Sequence, residues 1–520
     1  MDLPWLIKAL LDTESYPERP AEVKLRQTHI SYLFFTPAFV YKIKKPVNFG
    51  FLDFTALEQR LFFCGEEIRL NRRLAPSIYL DVVKVVSKDG RVLMEGEGEA
   101  IEYAVKMKRL PDESMLESAL KKGTVRENIL ERIAGALASF HKTAETNEYI
   151  KGFGSPEAIG KNTAENFSQT SGYIGNTISK DRFEGIKRYT EDFLKAHGSL
   201  FQKRAADGFI RDCHGDIHSE HISIADGINI FDCIEFNERF RFSDIVADMA
   251  FLSMDLDYHN RHDLSRVFDE AYFRASNDGD GVRLIDFYRC YRAYVRGKVE
   301  GFKSAEAEVS EEDKRAARLN AVYHFYLAGL YASSGFKPMM LLIRGLSGTG
   351  KSALARRVSD IIWLNHLSTD IIRKELAGIS PFERRRAPFG EDIYREEFTE
   401  RTYKELLKRG SALLQSGRSV VLDATFSKER YIKEAKAEAK RVGADFKIIE
   451  CIADDGAVRR RFLEREKECG KEGFPLSDAG WEIYLRQKET FERTGEPRVI
   501  IDSGKSLEEN IAILFWKIFG

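Results

Sequence analysis

The sequence predicts a multidomain protein, an N-terminal α+β domain followed by a C-terminal α/β domain with a parallel sheet. Three observations carry that expectation. The chain has 520 residues, too many for a single hydrophobic core. Its first 335 residues open with strand and hairpin signals and then run mostly helical, the order of an α+β domain with a small sheet-containing lobe (about 1–110) before a helical one (about 111–335). Residues 338–520 instead alternate strand and helix, as a parallel sheet with crossover helices does. The seam at 332–338, ASSGFKP, combines small residues, a glycine and a proline.

Composition is that of an ordinary soluble globular chain, 43% hydrophobic and 31% charged. Eighty-one basic residues against 82 acidic leave a net charge of -1, so a polyanion would have to be met by a local patch. The six cysteines, Cys64, Cys213, Cys233, Cys290, Cys451 and Cys469, form no CxxC pair. That spacing argues against a zinc site or disulfide framework and for free thiols in a reducing compartment. No run approaches 18 apolar residues. The first 20 residues read as a short amphipathic helix ending near Pro17, without the basic region and apolar core of an export signal. The expectation is a cytoplasmic protein with no membrane partner, and the sequence carries no signal of oligomeric state.

In the first domain, strands at 29–35 and 38–44 flank a turn at Thr36-Pro37. A helix follows at about 55–74, then strands near 82–86, 92–94 and 102–107. The rest is helical apart from a loop-rich stretch at 211–232, and a charged helix at 305–331 leads to the seam. In the second domain the apolar run 339–344 reads as a buried strand.

Directly after that strand comes Gly345-Leu346-Ser347-Gly348-Thr349-Gly350-Lys351-Ser352, a match to GxxxxGK[ST], followed at once by a helical run at 353–362. The bare pattern occurs by chance in roughly 2% of chains this long at average residue usage, and the strand–loop–helix context makes chance the weaker explanation. Glycines at 345, 348 and 350 let backbone N–H groups close around phosphate oxygens, and the helix N-terminus adds a favourable dipole. Ser347 and Thr349 complete the loop. Lys351 is expected to bridge the β- and γ-phosphates of ATP and Ser352 to ligate Mg²⁺.

Further along, Asp370 and Arg373 lie three residues apart where a second strand enters a helix. An aspartate there can accept a substrate hydroxyl proton while the arginine grips a substrate anion; the alternative is that Asp370 only caps the helix. A third strand, 419–425, carries Asp423 near its end, placed as a Walker B acid that partners magnesium or substrate. The run Arg459-Arg460-Arg461-Phe462-Leu463-Glu464-Arg465 puts Arg461 and Arg465 four residues apart on one helix face, suited to a lid that stabilises charge on the transferring phosphoryl group. The competing reading is a solvated face paired with Glu464, Glu466 and Glu468. Taken together, GLSGTGKS, STDIIRKEL, VVLDATF, RRFLERE and Ser477-Asp478-Ala479 resemble the small P-loop kinases related to polynucleotide 5′-kinase, gluconate kinase and zeta toxin, over essentially all of 338–520. That resemblance implies that Asp370 acts as base and Arg373 as substrate clamp.

In the first domain the densest polar cluster is Arg211-Asp212-Cys213-His214-Gly215-Asp216-Ile217-His218-Ser219-Glu220-His221, and Asp232 ends a strand 16 residues after Asp216. Paired aspartates so spaced suit phosphoryl transfer, with Asp216 orienting the acceptor hydroxyl and Asp232 holding Mg²⁺. A competing reading makes His214, His218 and His221 metal ligands, although no thiol or further histidine completes an obvious zinc set. HGDIH and IFD resemble the catalytic loop and magnesium aspartate of the aminoglycoside phosphotransferase-like kinases, a branch of the protein-kinase fold, over most of 1–335. By that resemblance Lys42 or Lys44, which share a strand face, is the ATP lysine, with Lys42 the better spaced. Glu67 is its helix partner, and 102–111 is the hinge that meets adenine. One residue departs from the pattern. The family places a magnesium-ligating asparagine five residues after the catalytic aspartate, and here that position is His221, a poorer ligand for a hard cation. A slow kinase, a kinase of altered metal use and a catalytically silent binding module all fit this change.

The expected activity is therefore ATP- and Mg²⁺-dependent phosphotransfer by two kinase-type modules to a hydroxyl-bearing acceptor, a small molecule or a nucleic-acid 5′ end. The alternatives are one active P-loop kinase beside an inert kinase-like domain that recognises or regulates, and a nucleic-acid repair or toxin-type enzyme. For the last, Phe382-Glu383-Arg384-Arg385-Arg386 offers a basic rim.

Overall fold

The computed structural model describes residues 4–50, 52–333, 335–380, 392–467 and 480–520. Contacts divide these into two compact units. The first comprises Met1–Lys161, Leu194–Asp255 and Val267–Tyr288, and the second Asn162–Phe193, Leu256–Arg266 and Arg289–Gly520. The second unit thus takes in all of 338–520 together with segments from the helical half of 1–335.

The first unit opens on a six-stranded antiparallel sheet. Its strands are β1 (Lys24–Gln27), β2 (Ser31–Phe35), β3 (Phe39–Lys44), β4 (Tyr79–Lys88), β5 (Arg91–Met94) and β6 (Ala100–Lys108), in the spatial order β1-β2-β3-β6-β4-β5. The central strand β3 pairs with both β2 and β6, and alternation sends its side chains to opposite faces. Tyr41 and Ile43 join Ile7, Leu10, Phe34, Val85 and Ala104 in one core. Val40 packs on the other face with Cys64 and Ile68 of the helix Leu57–Asn71. Lys42 and Lys44 share the face of Val40, and so are aimed at that helix rather than at solvent. The helix buries Arg60, Cys64, Glu67, Ile68 and Asn71, the three-to-four-residue spacing of one helical face.

Two short antiparallel ribbons frame the polar loops. β7 (Ile210–Asp212) pairs with β10 (Phe242–Asp244), and β8 (Ile222–Ser223) pairs with β9 (Asn229–Ile230). Residues 213–221 therefore span β7 to β8 and residues 231–241 span β9 to β10, so the two ribbons hold both aspartate-bearing loops at their ends. The stretch 102–111 is mostly strand: β6 continues to Lys108 because both its edges are paired, by β3 and β4. Glu102 is occupied by Arg60, whose Nε lies 3.0 Å from both carboxylate oxygens. Only residues 109–111 remain as a connector.

The second unit is built on a five-stranded sheet, all parallel. It consists of β11 (Met339–Arg344), β12 (Asn365–Ser368), β13 (Val420–Asp423), β14 (Asp445–Ile452) and β15 (Val499–Asp502), in the order β12-β13-β11-β14-β15. Every residue of β11 is buried, as its uninterrupted apolar run requires of a strand covered on both faces. Parallel register aligns Ile343 with Asp423 and Asp423 with Ser368. The carboxyl ends of three strands therefore open at one edge, where ligands of parallel α/β sheets bind. Within this unit Asn260 seals the start of β13, donating to Ser419 O at 2.9 Å and accepting from Ser419 N–H at 2.6 Å.

Arg204 is 1% exposed and grips two buried carboxylates in the first unit, Asp244 at 2.6 and 2.8 Å and Asp278 at 2.7 Å through two nitrogens. Removing the cation strands both acids in the interior. Arg204→Met is expected to destabilise the first unit by about 3–5 kcal/mol, read as a lowered unfolding transition in calorimetry of the full chain.

Candidate functional site

The first constellation lies at the carboxyl edge of the parallel sheet. Gly345, Gly348 and Gly350 adopt φ of +146°, +82° and +84°, conformations that side chains resist. At Gly345 the restriction is doubled, because a Cβ would stand 2.4 Å from the carbonyl oxygen of Cys451. Gly350 caps the helix Lys351–Ile362. Within the loop, Ser347 N–H donates to Gln487 Oε1 at 2.9 Å. Thr349 stabilises the turn by donating to Leu346 O at 2.7 Å, and Lys351 Nζ folds back on the same carbonyl at 2.9 Å.

Asp423 is 2% exposed and faces Ser352 and Lys351. Burial pushes its carboxyl up. The bond from His366 (Nε2 to Oδ2, 3.2 Å), the Lys351 charge and the Ser352 hydroxyl outweigh that and hold it below the usual carboxylate range. A hydroxyl and an ionised carboxylate beside the phosphate loop form an oxygen donor set that suits Mg²⁺.

Asp370 is not the helix cap. Ser368 takes that position in the helix Thr369–Leu376, accepting from Asp370 N–H at 3.3 Å, and Asp370 occupies the first turn, partly exposed. Arg373 is 7% exposed; its Nη1 donates to Ile393 O at 2.6 Å and to Thr399 Oγ1 at 3.1 Å, and its guanidinium lies 5.0 Å from the Tyr394 ring centre. Arg461 donates to Gly348 O at 3.1 Å, Ser503 Oγ at 2.9 Å and Ser503 O at 2.5 Å, tying the helix Asp455–Lys467 to the phosphate loop. Arg465 lies in that helix, but its side chain is outside the described residues. So are Ser477-Asp478-Ala479 and the basic run at 382–386.

The second constellation belongs to the first unit. Lys42 Nζ sits 2.8 Å from Glu67 Oε1 and 2.8 Å from Asp232 Oδ1. Lys44 Nζ lies deeper, fully buried, 2.8 Å from Glu67 Oε2 and bonded to Glu235. The two lysines that the strand period leaves equivalent are thus separated by depth: Lys42 reaches the loop aspartate and Lys44 completes an interior pair. Burial opposes charge on all these groups. At Glu67 the two ammonium groups win and depress the carboxyl, whereas at Glu235 burial dominates and raises it. Asp232 is held well below its usual value, against burial, by Lys42 and then His221. Its backbone takes φ +61°, a strained setting for a non-glycine residue. Neighbouring bonds hold it there: Asp232 N–H donates to the Tyr79 hydroxyl at 3.1 Å, and Cys233 N–H to Asn71 Oδ1 at 2.8 Å.

The HGD loop is anchored from below. Asp248 accepts from His214 N–H at 2.9 Å and Gly215 N–H at 2.7 Å, and pairs with His141 Nε2 at 3.1 Å. Gly215 has φ +91° and a Cβ there would meet Phe240 O at 2.9 Å, so the turn that presents Asp216 requires glycine. Arg73, just beyond the Glu67 helix, donates to Asp212 O at 2.8 Å and Cys213 O at 3.0 Å, linking helix to loop. His221 stands between the two aspartates, with Nδ1 3.0 Å from Asp216 O and Nε2 3.4 Å from Asp232 Oδ2. Of the three histidines considered as metal ligands, His218 and His221 gather with Asp216, their ligand atoms within 4.8 Å of one another. His214 turns away, its Nδ1 accepting from Asp216 N–H at 3.3 Å.

Sequence reasoning passes over Glu235, Asp248, His366 and Gln487. Asp248 had a signal: it is the one charge in the first eight residues of the helix Ile245–Tyr258, and a carboxylate in such an apolar run is buried only with partners. Glu235, His366 and Gln487 reach their sites through tertiary packing and carry no local mark.

His214 sets a pH dependence. Burial pushes its imidazole down to about 4, below about 6.5 for an exposed histidine. The folded state therefore resists a proton that the unfolded chain accepts. The stability from this group is complete above about pH 6.5 and is lost as pH falls toward 4, on the order of 3 kcal/mol in all. His214→Asn should lose correspondingly less between pH 6.5 and 4.5, measured as the change in the first unit's unfolding transition in both proteins.

Comparison with known proteins finds two family profiles along the chain. The profile of the phosphotransferase enzyme family matches residues 63–290, and that of an AAA domain matches residues 340–493. Uncharacterised proteins of Mycobacterium tuberculosis and Mycobacterium bovis are each 32% identical over 424 residues, 81% of this chain and 81% of theirs. Among solved structures, similarity extends to a choline/ethanolamine kinase family protein of Mesorhizobium loti (12% identity, TM-score 0.39, 63% of this chain and 95% of that one). It extends also to a gluconokinase of Sinorhizobium meliloti (18% identity, TM-score 0.26, 35% of this chain and 95% of that one). The chain belongs to the family of these mycobacterial proteins, and in joining a phosphotransferase-family domain to a P-loop kinase domain it is an ATP-dependent kinase.

Proposed function

We propose that both modules, 1–335 and 338–520, transfer the γ-phosphate of ATP to a hydroxyl-bearing acceptor, a small molecule or a nucleic-acid 5′ end. The observation that carries a two-site reading is Lys42 Nζ at 2.8 Å from both Glu67 and Asp232, with Asp216 on the neighbouring loop. A lysine held by a helix glutamate is what positions ATP phosphates in kinases, and a loop aspartate is what receives the acceptor proton. An inert domain has no need to keep such charges together near solvent.

In the C-terminal module the glycine loop and Lys351 bind the phosphates, while Ser352 and Asp423 hold Mg²⁺, which shields phosphate charge when bound. Asp370 accepts the acceptor hydroxyl's proton. Arg373 orients the acceptor side of the cleft through its hold on Ile393 and Thr399, and Arg461 keeps the loop's Gly348 carbonyl in place, with Arg465 one turn further along. In the N-terminal module Lys42, paired with Glu67, binds ATP phosphates, Asp216 orients the acceptor hydroxyl, and Asp232 with His221 faces the cation. A reducing cytoplasmic setting suits the five described cysteines, all buried and free. Among the described residues no helix is long and apolar enough to cross a membrane.

A second reading, one active P-loop kinase with a regulatory kinase-like domain, is favoured by His221 in place of an oxygen ligand. The full chain with Lys351→Ala or Asp216→Ala, given γ-labelled ATP with hydroxyl compounds and 5′-hydroxyl oligonucleotides, separates the two. Each variant is expected to lose transfer to its own module's acceptor, by about 10²–10⁴-fold for the Asp216 base. If Asp216→Ala leaves all transfer intact while Lys351→Ala abolishes it, the two-site reading is wrong.

A further inference from the structure

The environment of His221 specifies more than a weakened magnesium site. Its Nδ1 is 3.0 Å from the Asp216 carbonyl oxygen, a pure acceptor, so Nδ1 carries the proton and Nε2 presents a lone pair. That lone pair faces Asp232 Oδ2 at 3.4 Å. The other oxygen of the same carboxylate is already bound by Lys42, at 2.8 Å. In that tautomer two Lewis bases face one another across 3.4 Å in a place open to solvent: the side chains are 16% and 42% exposed. A gap of 3.4 Å is the bite that two ligands bound at ~2.1 Å to one metal ion span. An imidazole whose other nitrogen is fixed on a backbone carbonyl is also how metal-ligating histidines are held.

We propose that the N-terminal site selects a divalent transition-metal ion of the Mn²⁺ type over Mg²⁺, bound between His221 Nε2 and Asp232 Oδ2. Mg²⁺ prefers oxygen ligands throughout and sheds water reluctantly, whereas first-row transition ions also take imidazole, Mn²⁺ being the one among them nearest to Mg²⁺ in its liking for oxygen. His218 supports the arrangement: its ring centre lies 3.9 Å from that of His221, and its Nε2 is 3.5 Å from Asp216 Oδ2, so it braces the ring and the loop without occupying the bite. The two modules then differ in metal as well as fold, since the Ser352–Asp423 pair offers only oxygen. The inference rests on Asp232 being the nucleotide-side carboxylate of the N-terminal module, and its test is binding rather than turnover.

Pulsed EPR of Mn²⁺ bound to the full chain carrying Lys351→Ala, with a non-hydrolysable ATP analogue, reads the ligand directly. The expected result is a nitrogen hyperfine coupling that disappears in His221→Asn, a variant that keeps an oxygen ligand and so still binds the ion. In a companion titration, His221→Ala should weaken Mn²⁺ by about tenfold or more, and His221→Asn should lower the Mg²⁺ excess needed to displace Mn²⁺. Absence of bound Mn²⁺, absence of nitrogen coupling in the parent chain, or its persistence in His221→Asn overturns the proposal. A chain that shows the coupling but transfers no phosphate from its N-terminal module retains this inference and loses the functional reading instead.

Discussion

Glu67 is fully buried and lies between two ammonium groups, Lys42 on one carboxylate oxygen and Lys44 on the other, each at 2.8 Å. A lone charge in that position would be strongly destabilising, since breaking a buried pair costs about 3–5 kcal/mol. The rest of the first unit is arranged around meeting that requirement. β3 must run through the middle of the sheet to deliver both lysines to one face. The helix Leu57–Asn71 must lie on that face with Glu67 inward, and Arg60 and Asn71 on the same stripe serve the strand β6 and the Asp232 loop. Because Lys44 takes up Glu235 and the inner oxygen of Glu67, Lys42 is left to span the outer oxygen and Asp232. The interior pair thus positions the outer one.

The second unit reaches a comparable end by a different route. The groups proposed there to bind phosphate are backbone N–H donors and one helix N-terminus, which need glycine geometry rather than paired side chains. Lys351, Ser352 and Asp423 add side chains to these groups, and parallel register sets Asp423 beside the loop. This explains why the C-terminal site is so much more legible in the sequence. A loop made by consecutive residues leaves a contiguous signature, and GLSGTGKS after 339–344 marks both strand and loop to the residue. The N-terminal site is assembled from β3, a helix, two loops and a buried helix carboxylate, so its signature is scattered over about 200 positions.

What the sequence left open in that site has physical reasons. Lys42 and Lys44 share period and face, and only the depth of the helix packing separates them. Asp370 and Ser368 compete for one cap, and the choice turns on where the β12 backbone bends, which Thr369 and the register with Asp423 settle. The strand expected at 102–107 runs on to Lys108, because a strand paired on both sides propagates until pairing ends, whatever its polar content. The loop-rich reading of 211–232 kept the strand before Asp232 but missed β7 and β8, since two- or three-residue strands have no periodicity to detect. Asp248 was visible as a charge in an apolar helix, but its partners, two N–H groups of the HGD loop, were not.

His221 shows how these levels meet. Its spacing from Asp216 sets it apart from His214 and His218 in the sequence, but not what it contacts, and all three fall within eight residues. The fold gives each a different task. His214, 1% exposed, is held neutral by burial and lies under the loop it helps shape. His218 stacks between His221 and Phe251, with ring centres 3.9 and 5.5 Å away, and is a spacer. Only His221 has one nitrogen committed to a carbonyl and the other turned toward an ionised carboxylate with access to solvent. A substitution that removes a hard ligand from a kinase site is, on composition alone, a loss. Set in this geometry it is a change of donor set, because the neighbouring groups that orient a ligand remain in place around it. Selection for metal type needs no other alteration than this: the carboxylate, its lysine and the loop stay fixed, and the element that differs is the one atom facing the cation.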